Sequence, residues 1–400
     1  MNIAFVNTEY LPVPPVKGGA VEEWIERTAQ RLTDHSVWIM SVHQEASQSS
    51  ETKGHITYHW FKPGWLSKLL LCSYRLPFKK DSSKWLYFPY SFWCAVNLKK
   101  FEPDIIHIHN RPHFVWILKK MNPKAKIVLH IHQLSAMDEK NLWSEDMINS
   151  TSLFLGCSQF VINELVKRFP AAQGKTGVAY NGVDTKIFYP KWLDSLANEE
   201  FKKSLCPEGS KLILYSGRLA ENKGVHLLVH AVKNLVHKGN RNIKLVVCGA
   251  RGYANKEVTP YIQKLYDMAK GLESNIEFKG FIPHSKMPDY YRAADCIVIP
   301  SEVAEGFGVI SIESLACGTG VIASPKGGIP EAVSHKHTGI LLKDVSSPSI
   351  EEALLEFMEH FEPFQIYARN GHDLVHKKFT WTSITQKLQE TYQKILTEAA

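Results

Sequence analysis

The sequence predicts an α/β protein made of two Rossmann-like domains. Short apolar runs rich in β-branched residues alternate with amphipathic helical patterns along the whole chain, which is the order of elements in sheets built from βαβ units. The 400 residues also exceed what one hydrophobic core usually organises, since a domain averages about 150 residues. A polar stretch with two prolines divides the alternating pattern into two series.

The first series, residues 1–184, predicts one doubly wound domain. Its strands are expected near 2–7, 36–42, 104–109, 126–132, 152–157 and 176–180. Its helices are expected near 19–33, 89–101, 112–121 and 158–169.

Residues 185–210, which include Pro190 and Pro207, predict a hinge or linker. The second series, residues 211–378, predicts another Rossmann-like domain. Its strands are expected near 211–216, 243–248, 275–280, 295–300, 320–324 and 339–342. Residues 379–400 predict an amphipathic helix that packs back on the first domain. Ligands are expected in the crevice between two such domains.

The composition excludes several classes of protein. With 44% hydrophobic and 22% charged residues, the chain is neither disordered nor fibrous. Its seven cysteines are odd in number and form no Cys-x-x-Cys pair, which argues against a disulfide framework and a zinc ribbon. A strand pattern follows Met1 directly and no apolar run reaches about 20 residues. We therefore expect a cytoplasmic protein, soluble or peripheral to the inner face of the membrane.

Residues 60–100 carry a charge equal to the whole formal net charge of +7. Eight basic side chains accompany a single acidic one, and eleven aromatic residues are interleaved with them. Such a mixture suits contact with an anionic membrane surface. A partly buried aromatic insert with solvated lysines, or a surface for an anionic soluble acceptor, would explain it too. Nothing in the segment is typical of a nucleic-acid-binding module.

The most informative segment runs from Ser301 to Gly318. A strand is predicted to end just before it, and a helix to begin near Gly308. The first amide groups of a helix can bind phosphate oxygens, and the glycines of the loop allow a ligand to approach closely. Glu305 precedes the helix, whereas Glu313 lies within it, where a carboxylate can accept hydrogen bonds from two hydroxyl groups.

Arg218 and Lys223 lie in the turn after the first strand of the second series. Two fixed cations in one turn can neutralise an anionic group without rearrangement. No Asp-x-Asp sequence, a common metal-binding signature, occurs in the chain.

The first series offers a glycine turn and several histidines. Gly18 and Gly19 open a predicted helix and could approach a phosphate or an acceptor, but their spacing is not the Gly-x-Gly-x-x-Gly of dinucleotide oxidoreductases. The sequence His107-Ile-His109 and a second His-x-His pair at 130–132 invite a zinc interpretation. No third ligand cluster or acidic partner accompanies them, so no metal site is predicted.

Several motifs in the same order resemble those of retaining glycosyltransferases of GT-B fold, and of family 4 in particular. Glu305 and Glu313, with seven residues between them, resemble the Glu-x7-Glu element of those enzymes. The other matching elements are Lys17-Gly18-Gly19, Asn181-Gly-Val-Asp184, the run from Ser216 to Gly224, Gly280-Phe-Ile-Pro, the run from Tyr291 to Ser301, and Lys326-Gly-Gly-Ile-Pro-Glu331. The resemblance covers almost the whole chain.

The resemblance implies transfer of a sugar from a nucleoside-diphosphate sugar, with UDP as the commonest carrier, to a hydroxyl group, without a cofactor or metal. It implies catalytic roles for His132, Glu305, Arg218 and Lys223. His132 would contact the transferred sugar, with His109 as the second choice. The residues expected to bind the donor are Gly18, Gly19, Arg218, Lys223, Gly306, Phe307, Gly308, Val309, Ile310 and Glu313. The acceptor-side candidates in the N-terminal domain are His109, Asn110 and Arg111.

Other functions stay open on the sequence alone. A binding or structural protein could keep this fold without turnover, although the four charged residues Arg218, Lys223, Glu305 and Glu313 are all present. A nucleotide-sugar epimerase or a glycogen phosphorylase-like enzyme is a further alternative. The segment from Glu9 to Ala20 resembles glycosyltransferases of spore-forming bacteria that act on coat or envelope polysaccharide. It therefore favours a glycan, lipid or protein acceptor of the cell envelope.

Overall fold

The chain is described here by a computed structural model, which covers residues 1–16, 18–42, 49–62, 88–138, 142–251 and 258–397. It divides into two units, each with its own parallel sheet. The first unit comprises residues 1–181 and 381–400, and the second comprises residues 182–380.

The first unit is built on an eight-stranded sheet with the order β3-β4-β2-β1-β5-β6-β7-β8. All neighbouring strands are parallel except β3 and β4, which are antiparallel. The central strands are almost entirely buried and mainly apolar, with buried histidines on β5 and β6. The strands are β1 (Asn2–Val6), β2 (Ser36–Val42), β3 (Ser50–Lys53), β4 (Ile56–Phe61), β5 (Ile105–His109), β6 (Lys126–Ile131), β7 (Leu153–Gly156) and β8 (Thr176–Val178).

Six described helices belong to the first unit. They are α1 (Ala20–Ala29), α2 (Phe88–Leu98), α3 (Val115–Met121), α4 (Glu145–Ser150), α5 (Gln159–Arg168) and α13 (Trp381–Thr397). Ser158 caps α5 by accepting a hydrogen bond from the amide of Val161. The C-terminal helix α13 packs against α1. Its residues Trp381, Leu388 and Tyr392 are buried in the core of this unit.

The second unit has a six-stranded sheet with the order β11-β10-β9-β12-β13-β14, parallel throughout. Its strands are β9 (Lys211–Ser216), β10 (Ile243–Cys248), β11 (Ile276–Gly280), β12 (Cys296–Ile299), β13 (Gly320–Ala323) and β14 (Ile340–Leu341). Its described helices are α6 (Ser195–Leu205), α7 (Val225–His237), α8 (Pro260–Ala269), α9 (Met287–Ala293), α10 (Val309–Ala316), α11 (Ser347–Glu359) and α12 (Phe361–Lys378).

The predicted strands recur in the structure within a few residues, but the edge strand β3 and its neighbour β4 were missed. The segment predicted as a linker, 185–210, also differs from expectation, because it carries α6 and lies in the second unit. The physical reason is an ion pair: Lys202 Nζ lies 2.8 Å from Oδ1 of Asp295, a residue that is only 9% exposed. In addition, Arg292 Nε on α9 donates a hydrogen bond to Asn198 Oδ1 on α6.

The six cysteines in the described ranges are buried, and none of them is joined to another in a disulfide. As for membrane crossing, none of the described helices combines the necessary length with a sufficiently apolar sequence.

Candidate active site

The charged residues of the second unit gather at one edge of its sheet. Strands β9 and β12 are parallel neighbours, so the loops after both strands leave from the same edge. Arg218 and Lys223 lie in the loop after β9, and Glu305 lies in the loop after β12. The two loops touch, because the amide of Glu302 donates a hydrogen bond to the carbonyl oxygen of Asn222 at 3.0 Å.

Lys223 and Glu305 form an ion pair between Lys223 Nζ and Glu305 Oε1. Ser301 Oγ donates a second hydrogen bond to the same carboxylate oxygen at 2.5 Å. Both charged side chains are about one-fifth exposed. The sequence had given these two residues separate roles, whereas the structure pairs them with each other.

Arg218 is the exposed cation of this group. Its carbonyl oxygen accepts a hydrogen bond from the buried Tyr215 hydroxyl at 3.0 Å, which fixes the start of the turn. Within the described parts of the chain, the Arg218 guanidinium forms no ion pair. It is therefore available to a ligand in a way that Lys223 is not.

Glu313 lies on α10, where it is 6% exposed. Both of its carboxylate oxygens have partners: His284 Nε2 lies 2.7 Å from Oε1, and the Tyr291 hydroxyl donates to Oε2 at 2.9 Å. Tyr291 also lies 3.4 Å from Ser216 Oγ at the end of β9, so that Glu313 is linked to the loop of Arg218. Sequence reasoning had assigned no role to His284, and it had noted Tyr291 only as the first residue of a matching motif.

The loop before α10 provides a helix start. Gly308 is the N-cap residue, and Val309 and Ile310 form the first turn, whose amides have no acceptor within the helix. Phe307 is 2% exposed and packs against Phe379, with ring centroids 5.3 Å apart. The predicted donor contact of Phe307 is therefore restricted to its backbone, because its side chain is part of the core. Gly306 lies beside it in the same loop.

The Lys326-Gly-Gly motif is hydrogen-bonded to the loop that contains Glu305. Gly327 forms an isolated parallel bridge with Glu305, and the amide of Gly328 donates a hydrogen bond to the Glu305 carbonyl oxygen at 2.9 Å. The motif therefore fixes the backbone of Glu305, a role that its sequence alone did not reveal.

In the first unit, the candidate residues follow β5 and β6. Asn110 has a left-handed backbone (φ 53°), and its side-chain oxygen accepts a hydrogen bond from the amide of His132 at 2.7 Å. His109 Nδ1 lies 3.0 Å from His132 Nε2. Because β5 and β6 are adjacent, these contacts hold the ends of the two strands together.

Arg111 and Glu9 form a two-point ion pair. The Nε and Nη2 atoms of Arg111 donate to the two carboxylate oxygens of Glu9, both at 2.7 Å. The guanidinium also lies 4.9 Å from the ring centroid of Tyr10, which is 67% exposed. The acceptor-side candidate Arg111 is thus rigidly held beneath an exposed aromatic ring.

Four histidines form a buried cluster, namely His107 and His109 on β5, His130 on β6 and His132 directly after β6. Burial lowers the pKa of each, to about 3 for His132, so all four are neutral near pH 7. A ring nitrogen from each of His107, His109 and His130 lies within 4.8 Å of the other two. The two His-x-His pairs therefore bring three nitrogen ligands close together, without a carboxylate or a further ligand cluster beside them among the described residues.

The Gly18–Gly19 turn lies against the carboxylate of Glu22, on the helix α1 that follows it. Gly19 has φ 123°, and a Cβ atom there would lie 2.1 Å from Oε2 of Glu22. Glu22 is 4% exposed, and burial raises its pKa to about 6. The space that the glycine leaves open is therefore occupied by Glu22, which gives Gly19 a structural role besides the donor contact that the sequence predicted for Gly18 and Gly19.

Most of the basic aromatic segment, residues 63–87, lies outside the described residues, and so does Lys17. In its described part, Trp60 is in the core, whereas Phe88, Phe92 and Val96 are each more than one-third exposed at four-residue intervals on α2.

Known proteins resemble both units of the chain. The model for glycosyl transferases group 1 matches residues 197–372, and the model for glycosyltransferase family 4 matches residues 21–187. Spore coat protein SA of Bacillus subtilis is 26% identical over 98% of this chain and 100% of its own length. The lipopolysaccharide 1,2-N-acetylglucosaminetransferase of Salmonella typhimurium is 28% identical over 97% of both chains.

A solved structure of Anabaena Alr3699/HepE, in complex with UDP and glucose, superposes with a TM-score of 0.74 at 20% identity, covering 98% of this chain and 99% of that one. The protein is therefore a glycosyltransferase of GT-B fold. It belongs to glycosyltransferase family 4, as its motifs had indicated.

Proposed function

We propose that this glycosyltransferase moves a sugar, with retention of anomeric configuration, from a UDP-sugar to a hydroxyl group of a cell-envelope or coat glycan or lipid. The observation that carries the proposal is the gathering of Arg218, Lys223, Glu305 and Glu313 around the carboxyl ends of β9 and β12. Ligands of open α/β sheets bind at that edge. The UDP in HepE and the envelope-related names of the two relatives support the donor and the acceptor class.

Each group in the second unit has a part in donor binding. The carboxylate of Glu313 accepts hydrogen bonds from the ribose hydroxyls, and the first turn of α10 binds phosphate oxygens. Arg218 contacts the diphosphate, and Lys223 turns from Glu305 toward it. Two cations at the diphosphate replace a metal ion, and no cofactor takes part.

The transfer itself follows from this arrangement. The bond between the anomeric carbon and the phosphate oxygen breaks, and the acceptor oxygen forms its bond on the same face of the sugar. The departing phosphate oxygen takes the proton of the acceptor hydroxyl. Arg218 and Lys223 stabilise the negative charge that develops on the leaving diphosphate. His132 contacts the transferred sugar. Its imidazole is neutral at the working pH and stays uncharged during the transfer.

The acceptor binds to the first unit at Asn110 and Arg111, whereas His109, whose side chain is fully buried, acts through its contact with His132. The exposed Phe88, Phe92 and Val96 of α2, followed by Lys99 and Lys100, provide apolar and cationic groups that suit peripheral contact with an anionic membrane on its cytoplasmic side. Such contact would bring the enzyme to a lipid-linked acceptor.

The proposal is tested by measuring nucleotide release from a panel of UDP-, GDP- and ADP-sugars, together with calorimetric titration of each nucleotide. We expect release from a UDP-sugar, and Glu313→Ala should weaken UDP binding by about 1.5–3 kcal/mol, the usual contribution of a hydrogen bond to a charged group. Tight UDP binding without release from any sugar, in the presence of envelope glycan fractions, would favour a binding protein that has lost turnover.

A further inference from the structure

Two side chains beside Glu313 have no role in the proposal so far. Tyr291 on α9 contacts one oxygen of the Glu313 carboxylate, and His284, in a short 3-10 helix before α9, contacts the other. The two partners differ sharply in exposure, since Tyr291 is 1% exposed whereas the His284 side chain is 59% exposed.

Tyr291 is a fixed partner. Its backbone carbonyl accepts a hydrogen bond from Thr319 Oγ1 at 2.6 Å, and its hydroxyl lies between Glu313 Oε2 and Ser216 Oγ. Burial, together with the charge of Glu313, holds the pKa of the Tyr291 hydroxyl well above its usual range. The hydroxyl therefore stays protonated and always donates to the carboxylate.

His284 is a movable partner. Its ring packs on one side against Phe188, with centroids 5.4 Å apart, while most of the side chain faces solvent. An exposed ring can leave a carboxylate at little cost, because water replaces its hydrogen bond. A buried ring such as that of Tyr291 has no such freedom.

We infer that Tyr291 is a positioning residue that aims Glu313 Oε1 at the donor ribose, and that His284 occupies this oxygen in the ligand-free protein until a ribose hydroxyl displaces it. The inference rests on the proposed ribose contact of Glu313. It adds the reason why a buried carboxylate can serve there: Oε2 is satisfied by a permanent donor, and Oε1 exchanges one donor for another, so neither is left unpaired. The pair thereby makes the site selective for ribonucleotides.

The test is calorimetric titration with UDP and with 2′,3′-dideoxy-UDP, which lacks both hydroxyls. The wild-type protein should prefer UDP by about ten- to a hundred-fold. Tyr291→Phe should reduce this preference to a few-fold by weakening UDP binding while the dideoxy compound binds as before. His284→Ala should tighten UDP binding, because the competitor is gone. Tyr290→Phe, on the same helix but facing Phe201, is the matched control and should behave as wild type.

The outcomes separate this inference from the proposed function. If Glu313→Ala keeps the full preference for UDP, the ribose contact itself is wrong. If Glu313→Ala abolishes the preference and Tyr291→Phe keeps it, only the positioning role of Tyr291 fails. Weaker UDP binding by His284→Ala would overturn the displacement of His284, and this exposed substitution gives an answer even if Tyr291→Phe does not fold.

Discussion

Gly224 follows Lys223 in the loop after β9 and packs closely against the end of β12. Its replacement by alanine tests whether that contact matters. Gly224 has φ 68°, and a Cβ atom there would lie 1.9 Å from the carbonyl oxygen of Pro300, at the end of β12. Neither atom can rotate away, because both are tied to backbone. One of the two loops must therefore move until the contact reaches at least 3.0 Å.

The loss of folding free energy in Gly224→Ala has two parts. A left-handed backbone costs alanine about 1–2 kcal/mol more than glycine. Relief of the overlap adds about 1–3 kcal/mol, as in overpacked cores. The same displacement carries Lys223 away from Glu305, and a shift of about 1 Å in a positioning group can lower catalytic rate by roughly a hundred-fold. Gly224→Ala should therefore lose about 2–5 kcal/mol of folding free energy in the second unit and most of its turnover.

Calorimetric unfolding and nucleotide release from the active UDP-sugar measure the two effects. Gly271→Ala is the control, because Gly271 also has a left-handed backbone (φ 80°) in the same unit but has nothing within 4 Å of an added Cβ. It should lose only the backbone part and retain turnover. If the two variants are equally stable and equally active, the reasoning from the Pro300 contact is refuted.

Three further predictions concern charge. Arg218→Ala and Lys223→Ala should each lower turnover far more than they lower the melting temperature, while EDTA leaves wild-type release unchanged; strict dependence on a divalent ion would contradict the metal-free assignment. Because burial raises the pKa of Glu22 to about 6, its unfolded form ionises first, so the free energy of unfolding should fall by about 1 kcal/mol as the pH rises from 4.5 to about 6, out of about 2 kcal/mol over the whole titration. Urea titrations across this range should show a smaller fall in Glu22→Gln, and an identical fall would refute the cause. Reversing Lys99 and Lys100 to Glu should reduce sedimentation with phosphatidylserine vesicles at low salt, without changing UDP affinity; wild-type protein that ignores such vesicles would remove the membrane contact.

Strand positions could be predicted from sequence because a strand buried on both faces is apolar along most of its length. The runs at β1, β10 and β12 show this locally, although β10 also contains the buried Lys244. The edge strand β3, Ser-Glu-Thr-Lys, was missed because it is polar throughout, and its neighbour β4 was missed because it leads directly into the basic aromatic segment.

The residue types of the candidate site could also be predicted, but their pairings could not. Lys223 and Glu305 are 82 positions apart in the chain, and Tyr291 and Glu313 lie on different helices. Such contacts depend on which strands become neighbours in the sheet, and no local pattern records that. The same holds for Glu22, whose carboxylate fills the space beside Gly19 only after α1 has formed.

The packing of helix α13 on the first unit affects how that unit folds during synthesis. Tyr392 reaches back across 285 positions to contact His107 Nδ1, and Trp381 and Leu388 are buried beside the first strands of the chain. The strands of the first unit thus lack part of their core until α13 has been synthesised, whereas the second unit is synthesised without interruption. Removal of α13 should accordingly expose the first unit, rather than the second, to chaperones and proteases.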